Sequence, residues 1–201
     1  MRALLAAALT AALAGAASAA PLFSDNFNTA NGGTPAVPWN GNPNWNVSGG
    51  TVDLIGSGPG GTAFNFLPGN GLYVDLVGTG TPPGQLSTTQ TFGPGTYQVT
   101  FSLAGSNTSS TAPETVTVSL GNWSTTIAGI PFNQPFTTYT FLATTTTTGS
   151  LSFQNSGPSD NIGALLDNVT VSTVPEPISL VLFGSLVVGG IVAVRRRMAK
   201  A

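Results

Sequence analysis

Apolar and polar residues alternate with a period of two along much of the middle of this chain. Tyr97, Val99, Phe101 and Leu103 are separated by Gln98, Thr100 and Ser102, the pattern of a strand with one buried face. Val116, Val118 and Leu120 alternate with Thr117 and Ser119, and Leu72, Val74 and Leu76 with Tyr73, Asp75 and Val77. Tyr139 and Phe141 share a face within residues 138–143, and Leu151 and Phe153 mark a short strand. In the last strand Leu165, Asp167, Val169 and Val171 fall on one face and Ala164, Leu166, Asn168 and Thr170 on the other. Earlier strands are expected over 22–27, 51–55, 62–66 and 85–92.

Turn signals separate these segments. They include Gly32-Gly33, Gly49-Gly50, Pro68-Gly69-Asn70-Gly71, Pro82-Pro83-Gly84 and Gly93-Pro94-Gly95. Thr144 to Thr148 reads as a strand end or hairpin, because β-branched residues favour extended chain. No helical segments alternate with the strands, so a parallel α/β sheet is excluded. The expectation is an all-β, antiparallel two-sheet sandwich over residues 20–173.

The two ends follow a different pattern. Residues 1–19 carry Arg2, an alanine-rich apolar run and the small residues Ala17-Ser18-Ala19, which is the layout of a secretory signal peptide. At the other end, Pro175-Glu176-Pro177 forms a stiff non-helical hinge. The 17 residues Ile178 to Val194 follow without a charge. As a helix they would measure roughly 26 Å, the short end of what spans a bilayer. Arg195, Arg196 and Arg197 then form a stop-transfer cluster ahead of the tail to Ala201.

Charge narrows the function. All five basic residues are Arg2, Arg195, Arg196, Arg197 and Lys200, and the chain has no His and no Cys. Nucleic-acid binding needs cations to displace phosphate counterions, so it is excluded for the body. Ser-His-Asp and Cys-His triads cannot be assembled, and the usual nitrogen and sulfur ligands of zinc and copper are missing. A glycoside hydrolase would need two convergent carboxylates. Asp53 in TVDLI and Asp75 in YVDLV hold similar strand positions, but no motif marks them as a pair. The chain reads as non-catalytic.

The hinge, apolar span and basic cluster over residues 174–201 (motif 174–177, span 178–194, tail 195–201) resemble the PEP-CTERM sorting signal of Gram-negative bacteria. That resemblance implies an exosortase as partner and the inner membrane as a way station. The body would then reach the cell surface or an extracellular polysaccharide and biofilm matrix. The body, through FSDNF (23–27), GTYQVTFSLAG (95–105) and GALLDNVTV (163–171), resembles exported jelly rolls of the galactose-binding-like kind, among which are carbohydrate-binding modules. This implies first and last strands that lie close together. It also implies a structural calcium held by Asp25 and Asp167, whose plainer alternative is a turn cap and a hydrogen-bond acceptor. Carbohydrate binding would use Trp39, Trp45, Tyr73 and Trp123 as stacking platforms; the alternative lays each ring over an edge of the core.

Overall fold

The structure is a computed structural model that describes residues 20–174, apart from 81, 109–111 and 158–160. The signal-peptide segment 1–19, the Pro175–Pro177 motif, the span 178–194 and the basic tail lie outside the described residues. Among the described residues no helix is long and apolar enough to cross a membrane.

Fourteen strands are found among the described residues: β1 (Pro21–Asp25), β2 (Ala36–Trp39), β3 (Gly41–Asn42), β4 (Trp45–Ser48), β5 (Val52–Gly58), β6 (Gly61–Ala63), β7 (Leu72–Asp75), β8 (Gln85–Phe92), β9 (Gly95–Ala104), β10 (Glu114–Leu120), β11 (Trp123–Ile130), β12 (Thr137–Thr145), β13 (Gly149–Asn155) and β14 (Leu165–Thr173). They form two antiparallel sheets. One runs β12-β9-β14-β7-β5-β2, with β1 added to β14 and β6 to β5; the other runs β11-β10-β13-β8-β4-β3. From β7 onward the chain crosses between sheets at each step except the β10–β11 hairpin. The resulting orders, β7-β14-β9-β12 and β8-β13-β10-β11, are those of a jelly roll.

The period-two pattern sets which residues meet. Val99, Phe101 and Leu103 of β9, Val116, Val118 and Leu120 of β10, and Leu151 and Phe153 of β13 all enter one apolar cluster between the sheets. Phe101 packs edge-on against Phe153 across the gap, with ring centroids 5.1 Å apart. Outward positions carry hydroxyls that pair across strands, such as Thr100 with Thr140 at 3.3 Å and Thr117 with Thr126 at 3.4 Å. Such pairs stabilise a wet sheet face without charge.

β14 holds the first sheet together. Its first half pairs with β7 and its second half with β1, while β9 lines its other edge. The first and last strands therefore lie side by side. The strand does not keep a simple alternation. Its register with β9 slips between Asp167 and Thr170, and Asn168 adopts φ +53°. This bulge corrects the expected face assignment. Leu166, Val169 and Val171 enter the main core, whereas Leu165 joins a second cluster with Ile55, Tyr73 and Ala104 on the sheet's outer side. An extra residue in one strand shifts the parity of everything beyond it.

Three further differences from the sequence reading have local causes. Residues 36–48, where no strand was expected, contribute β2, β3 and β4, and the two Trp side chains there, Trp39 and Trp45, are core anchors. The strand expected over 62–66 stops at Ala63, where Phe64 turns to φ +44°. No strand was expected over Trp123–Ile130, yet Trp123 follows the β10–β11 turn and opens β11, whose inward positions Trp123, Thr125 and Ile127 mix polar with apolar and blur the period.

The bulge makes Asn168 sensitive to side-chain shape. The left-handed region costs an ordinary L-residue about 1–2 kcal/mol and is worse for a β-branched one. Asn168→Val is expected to lower the unfolding free energy by that order, seen as a lower urea midpoint at unchanged slope, and Asn168→Gly, which gives up only the side-chain bond to Asp167, to lower it less. Equal midpoints for the Val variant and the parent would show that the bulge does not constrain the strand.

Candidate functional site: a carboxylate pair in an aromatic-walled pocket

The residues singled out as stacking platforms are mostly core. Trp45 is 1% exposed, Trp39 3% and Tyr73 fully buried. Trp45 meets Phe23 at 5.3 Å and Phe27 at 5.4 Å, and Trp39 meets Phe27 at 6.2 Å. Trp39 and Trp45 on inward positions, and Tyr73 in the outer cluster, gain more from apolar burial than from facing water, so none of the three offers an open face to a sugar. Trp123 is half-buried on β11 against Phe141, away from the pocket described below.

Asp25 explains part of that arrangement. Its Oδ1 accepts the amide N–H of Phe27 at 2.8 Å, closing a turn after β1. Its Oδ2 accepts the Trp45 indole N–H at 3.0 Å and the Asn44 side-chain amide at 3.2 Å. Asp167 takes both of its hydrogen bonds from Asn168, backbone and side chain. Calcium draws hard oxygen ligands, whereas the groups meeting these carboxylates are N–H donors. Among the described residues no three His, Cys, Asp or Glu side chains converge. The residues present do not fit the ion. Asp25 serves as turn cap and Trp45 anchor, and Asp167 as an acceptor at the bulge.

The outer face of the first sheet holds a different constellation. Asp53 of β5 stands directly opposite Asp75 of β7, which in turn stands opposite Leu165 of β14. Directly opposed residues in an antiparallel pair have Cβ atoms about 4.5–5.5 Å apart. Both carboxylates are 3% exposed, and both line a pocket of about 400 Å³ with Ile55, Phe64, Phe66, Thr79, Asn161 and Ile162. That volume lies within the range of about 300–1,000 Å³ usual for small-molecule sites.

Loops beside the sheet build the walls. β6 ends where Phe64 turns left-handed, leaving its ring 55% exposed and 6.1 Å from that of Phe66. Bulky residues adopt this backbone conformation seldom, and such strain gathers at binding sites. The segment is tied down by Tyr73, whose hydroxyl accepts the Leu67 amide at 3.0 Å, and by Asn107, whose side chain donates to the Phe66 carbonyl. Tyr73 thus supports the pocket wall from beneath.

Backbone N–H groups hold the carboxylates. Asp75 Oδ1 accepts from Val77 at 2.9 Å and Gly163 at 3.0 Å, and Asp53 Oδ2 from Thr79 at 3.0 Å. A Cβ on Gly163 would lie 2.7 Å from the Val77 amide nitrogen and 2.8 Å from Asp75 Oδ1, so glycine is what allows this approach. Burial pushes Asp75 well above the ordinary carboxylate range; the amides oppose that shift and the Asp53 charge adds to it. Burial also raises Asp53. Asp167 is raised to about 7, by burial first, with the amide of Asn168 opposing and Asp25 adding.

Residues 24–172 match the family described as "Protein of unknown function (DUF642)". The chain belongs to the DUF642 family. No curated protein matches it significantly. Among solved structures, the DUF642 domain is similar to the K3 cleaved adhesin domain of Lys-gingipain from Porphyromonas gingivalis, at 18% identity and TM-score 0.49 over 77% of this chain and 100% of that one. It is also similar to the CBM22-1 xylan-binding domain from Paenibacillus barcinonensis, at 14% identity and TM-score 0.44 over 81% and 100%. A family 11 carbohydrate-binding module from Clostridium thermocellum matches at 15% identity and TM-score 0.39 over 81% and 99%.

Sequence reasoning found Asp53 and Asp75 as matching strand positions but missed the walls. Phe64 and Phe66 read as strand alternation, and Thr79, Asn161 and Ile162 sit in segments without period.

A carboxylate whose folded pKa lies above its unfolded value stabilises the fold most below the unfolded value and loses that contribution as pH rises to the folded one. For Asp167 the window runs from 3.8 to about 7, and Asp53 and Asp75 act in the same direction. The Tm is therefore expected to be higher near pH 5 than near pH 8, with Asp167→Asn flattening part of the slope. A Tm that climbs steadily from about pH 5 to about pH 8 would contradict this.

Proposed function

We propose that this DUF642 protein is an exported, non-catalytic cell-surface or matrix protein whose jelly roll binds carbohydrate in the pocket of Asp53 and Asp75. The observation that carries the reading is the pairing of two carboxylates with an aromatic wall in one cavity. Sugars present hydroxyl donors around a ring whose C–H faces are apolar. Carboxylate oxygens accept the hydroxyls, and Phe64 and Phe66 supply a surface for the ring face. The pocket bears no cationic side chain, which disfavours acidic ligands.

The same carboxylates raise the alternative of hydrolysis, since retaining glycosidases place two carboxyl groups about 5–5.5 Å apart. Two features favour binding. A retaining glycosidase needs one carboxylate free to attack the anomeric carbon, whereas Asp53 and Asp75 are each held by backbone amides of the adjoining turns. The pair also lies side by side on one sheet face instead of facing across a substrate.

Export and sorting rest on the terminal segments. In this reading residues 1–19 direct secretion, and the span 178–194 holds the protein in the inner membrane. An exosortase then acts at Pro175-Glu176-Pro177. The xylan-binding and family 11 domains carry carbohydrate binding in their names, and this reading extends the same class of ligand to the present chain.

Two measurements test the proposal. On a glycan array the protein should show a defined hit and release no reducing ends from it. Phe64→Ala should weaken that hit about tenfold, the scale of one aromatic contact, without loss of folding because Phe64 is exposed. Absence of any hit, or full affinity in the variant, would refute the pocket assignment. Intact mass from a host with exosortase should show loss of the C-terminus near Glu176; identical masses with and without the enzyme would remove the sorting step.

A further inference from the structure

The pocket's charge is unbalanced. No Lys, Arg or His occurs between Ala3 and Val194, so each donor reaching Asp53 and Asp75 from the body is neutral. Asp75 Oδ1 is filled by two amides, while its Oδ2 has no hydrogen bond among the described residues. Asp53 Oδ2 is held by the Thr79 amide, and its Oδ1 has only the Thr79 hydroxyl at 3.5 Å, the outer limit of such a bond. Asp75 is 3% exposed and lines the cavity. A buried carboxylate with an open oxygen, beside a second carboxylate and a wall of Phe64, Phe66, Ile55 and Ile162, lacks one component: a cation with N–H donors.

We infer that the pocket takes an amino sugar, a hexosamine residue whose free amine enters as ammonium between Asp53 and Asp75 while its ring lies against Phe64 and Phe66. This deepens the carbohydrate reading and rests on it. An ammonium brings three donors and relieves the repulsion between the carboxylates. Charge-assisted hydrogen bonds are roughly twice as strong as neutral ones, and an ammonium near an aromatic face gains further from cation–π attraction. A bare divalent ion suits the site poorly, because it demands six or more oxygens and four of the eight lining residues are apolar. Uronic or sulfated sugars would meet like charge. An N-acetylated sugar has lost the cation and adds bulk where the carboxylates stand.

The test is calorimetric titration of the purified full-length protein near pH 6, where the ligand's amine carries its charge and an ammonium entering the pair favours the ionised carboxylates that burial disfavours. The ligands are a glucosamine tetramer, its fully N-acetylated counterpart, a β-glucose tetramer and the ring-free diamine putrescine. The glucosamine tetramer is expected to bind at least about tenfold tighter than the others, the scale of one charge-assisted hydrogen bond. Asp53→Asn and Asp75→Asn should erase most of that preference, and Phe64→Ala should weaken binding of the glucosamine tetramer. Should a variant fail to fold, the unmodified protein still decides: its preference for the glucosamine tetramer over the acetylated one must fade as pH rises from about 6 to about 9, where the amine loses its charge, and an unchanged preference overturns the inference. Equal or tighter binding of the acetylated or glucose tetramer overturns the amino-sugar assignment and leaves the carbohydrate reading standing. Putrescine binding as tightly as the glucosamine tetramer overturns both, since charge alone would explain it. No binding by any of the sugars also overturns both.

Discussion

A body without one positive side chain must satisfy its buried carboxylates with N–H groups, and much of this structure follows from that. Asp25 is held by the Phe27 amide, the Asn44 side chain and the Trp45 indole. Glu114 takes the Asn155 side-chain amide at 2.7 Å. Asp53 and Asp75 take the amides of the turns that follow β7 and precede β14. Hydrogen bonds to a charged acceptor contribute more than neutral ones but do not cancel desolvation. The Asp53, Asp75 and Asp167 carboxylates remain raised for that reason.

The jelly roll and the site depend on the same few register choices. The β14 bulge lets Val169 and Val171 beyond it share the core with Leu166 before it, while Leu165 stands on the outer face next to Asp75 in the row that continues to Asp53. A strand without the slip would keep one parity throughout, so with Leu166 inward Val169 and Val171 would turn outward and leave the core. Tyr73 links the two levels: its ring fills the outer cluster beside Phe136, and its hydroxyl fixes the segment that presents Phe64 and Phe66.

Much of the fold was legible because alternation is a local property. The strand over 85–92 coincides with β8, and the alternating runs of β9, β10 and β13 mark real inward faces. What escaped has specific causes. β2 and β4 are short and rich in Pro and Asn, so their Trp anchors looked like loop residues available for stacking. Rings of that size are placed by the partners they meet, here Phe23, Phe27 and Asp25, and those contacts are long-range. The left-handed Asn168 leaves no trace in composition, although Asn tolerates that conformation better than most residues. The Asp53–Asp75 pair was half visible as two similar strand sequences; its wall comes from residues without periodicity.

The carboxylate pair departs from how the rest of the chain solves the same problem. Elsewhere on the outward faces, opposed residues are neutral hydroxyls, as with Thr100 and Thr140 or Ser119 and Ser152. Such pairs meet across strands without electrostatic cost. Two opposed carboxylates, nearly buried and without a counter-charge, work against the fold. Asp25 offsets its own burial by closing a turn and anchoring Trp45. Asp53 and Asp75 bond only to adjoining turns, and each has an oxygen left over beside the cavity. Local rules tend to break where a site needs them broken. The exception on this sheet is therefore best read as a recognition element, and its chemistry calls for a partner that brings hydrogen-bond donors and positive charge.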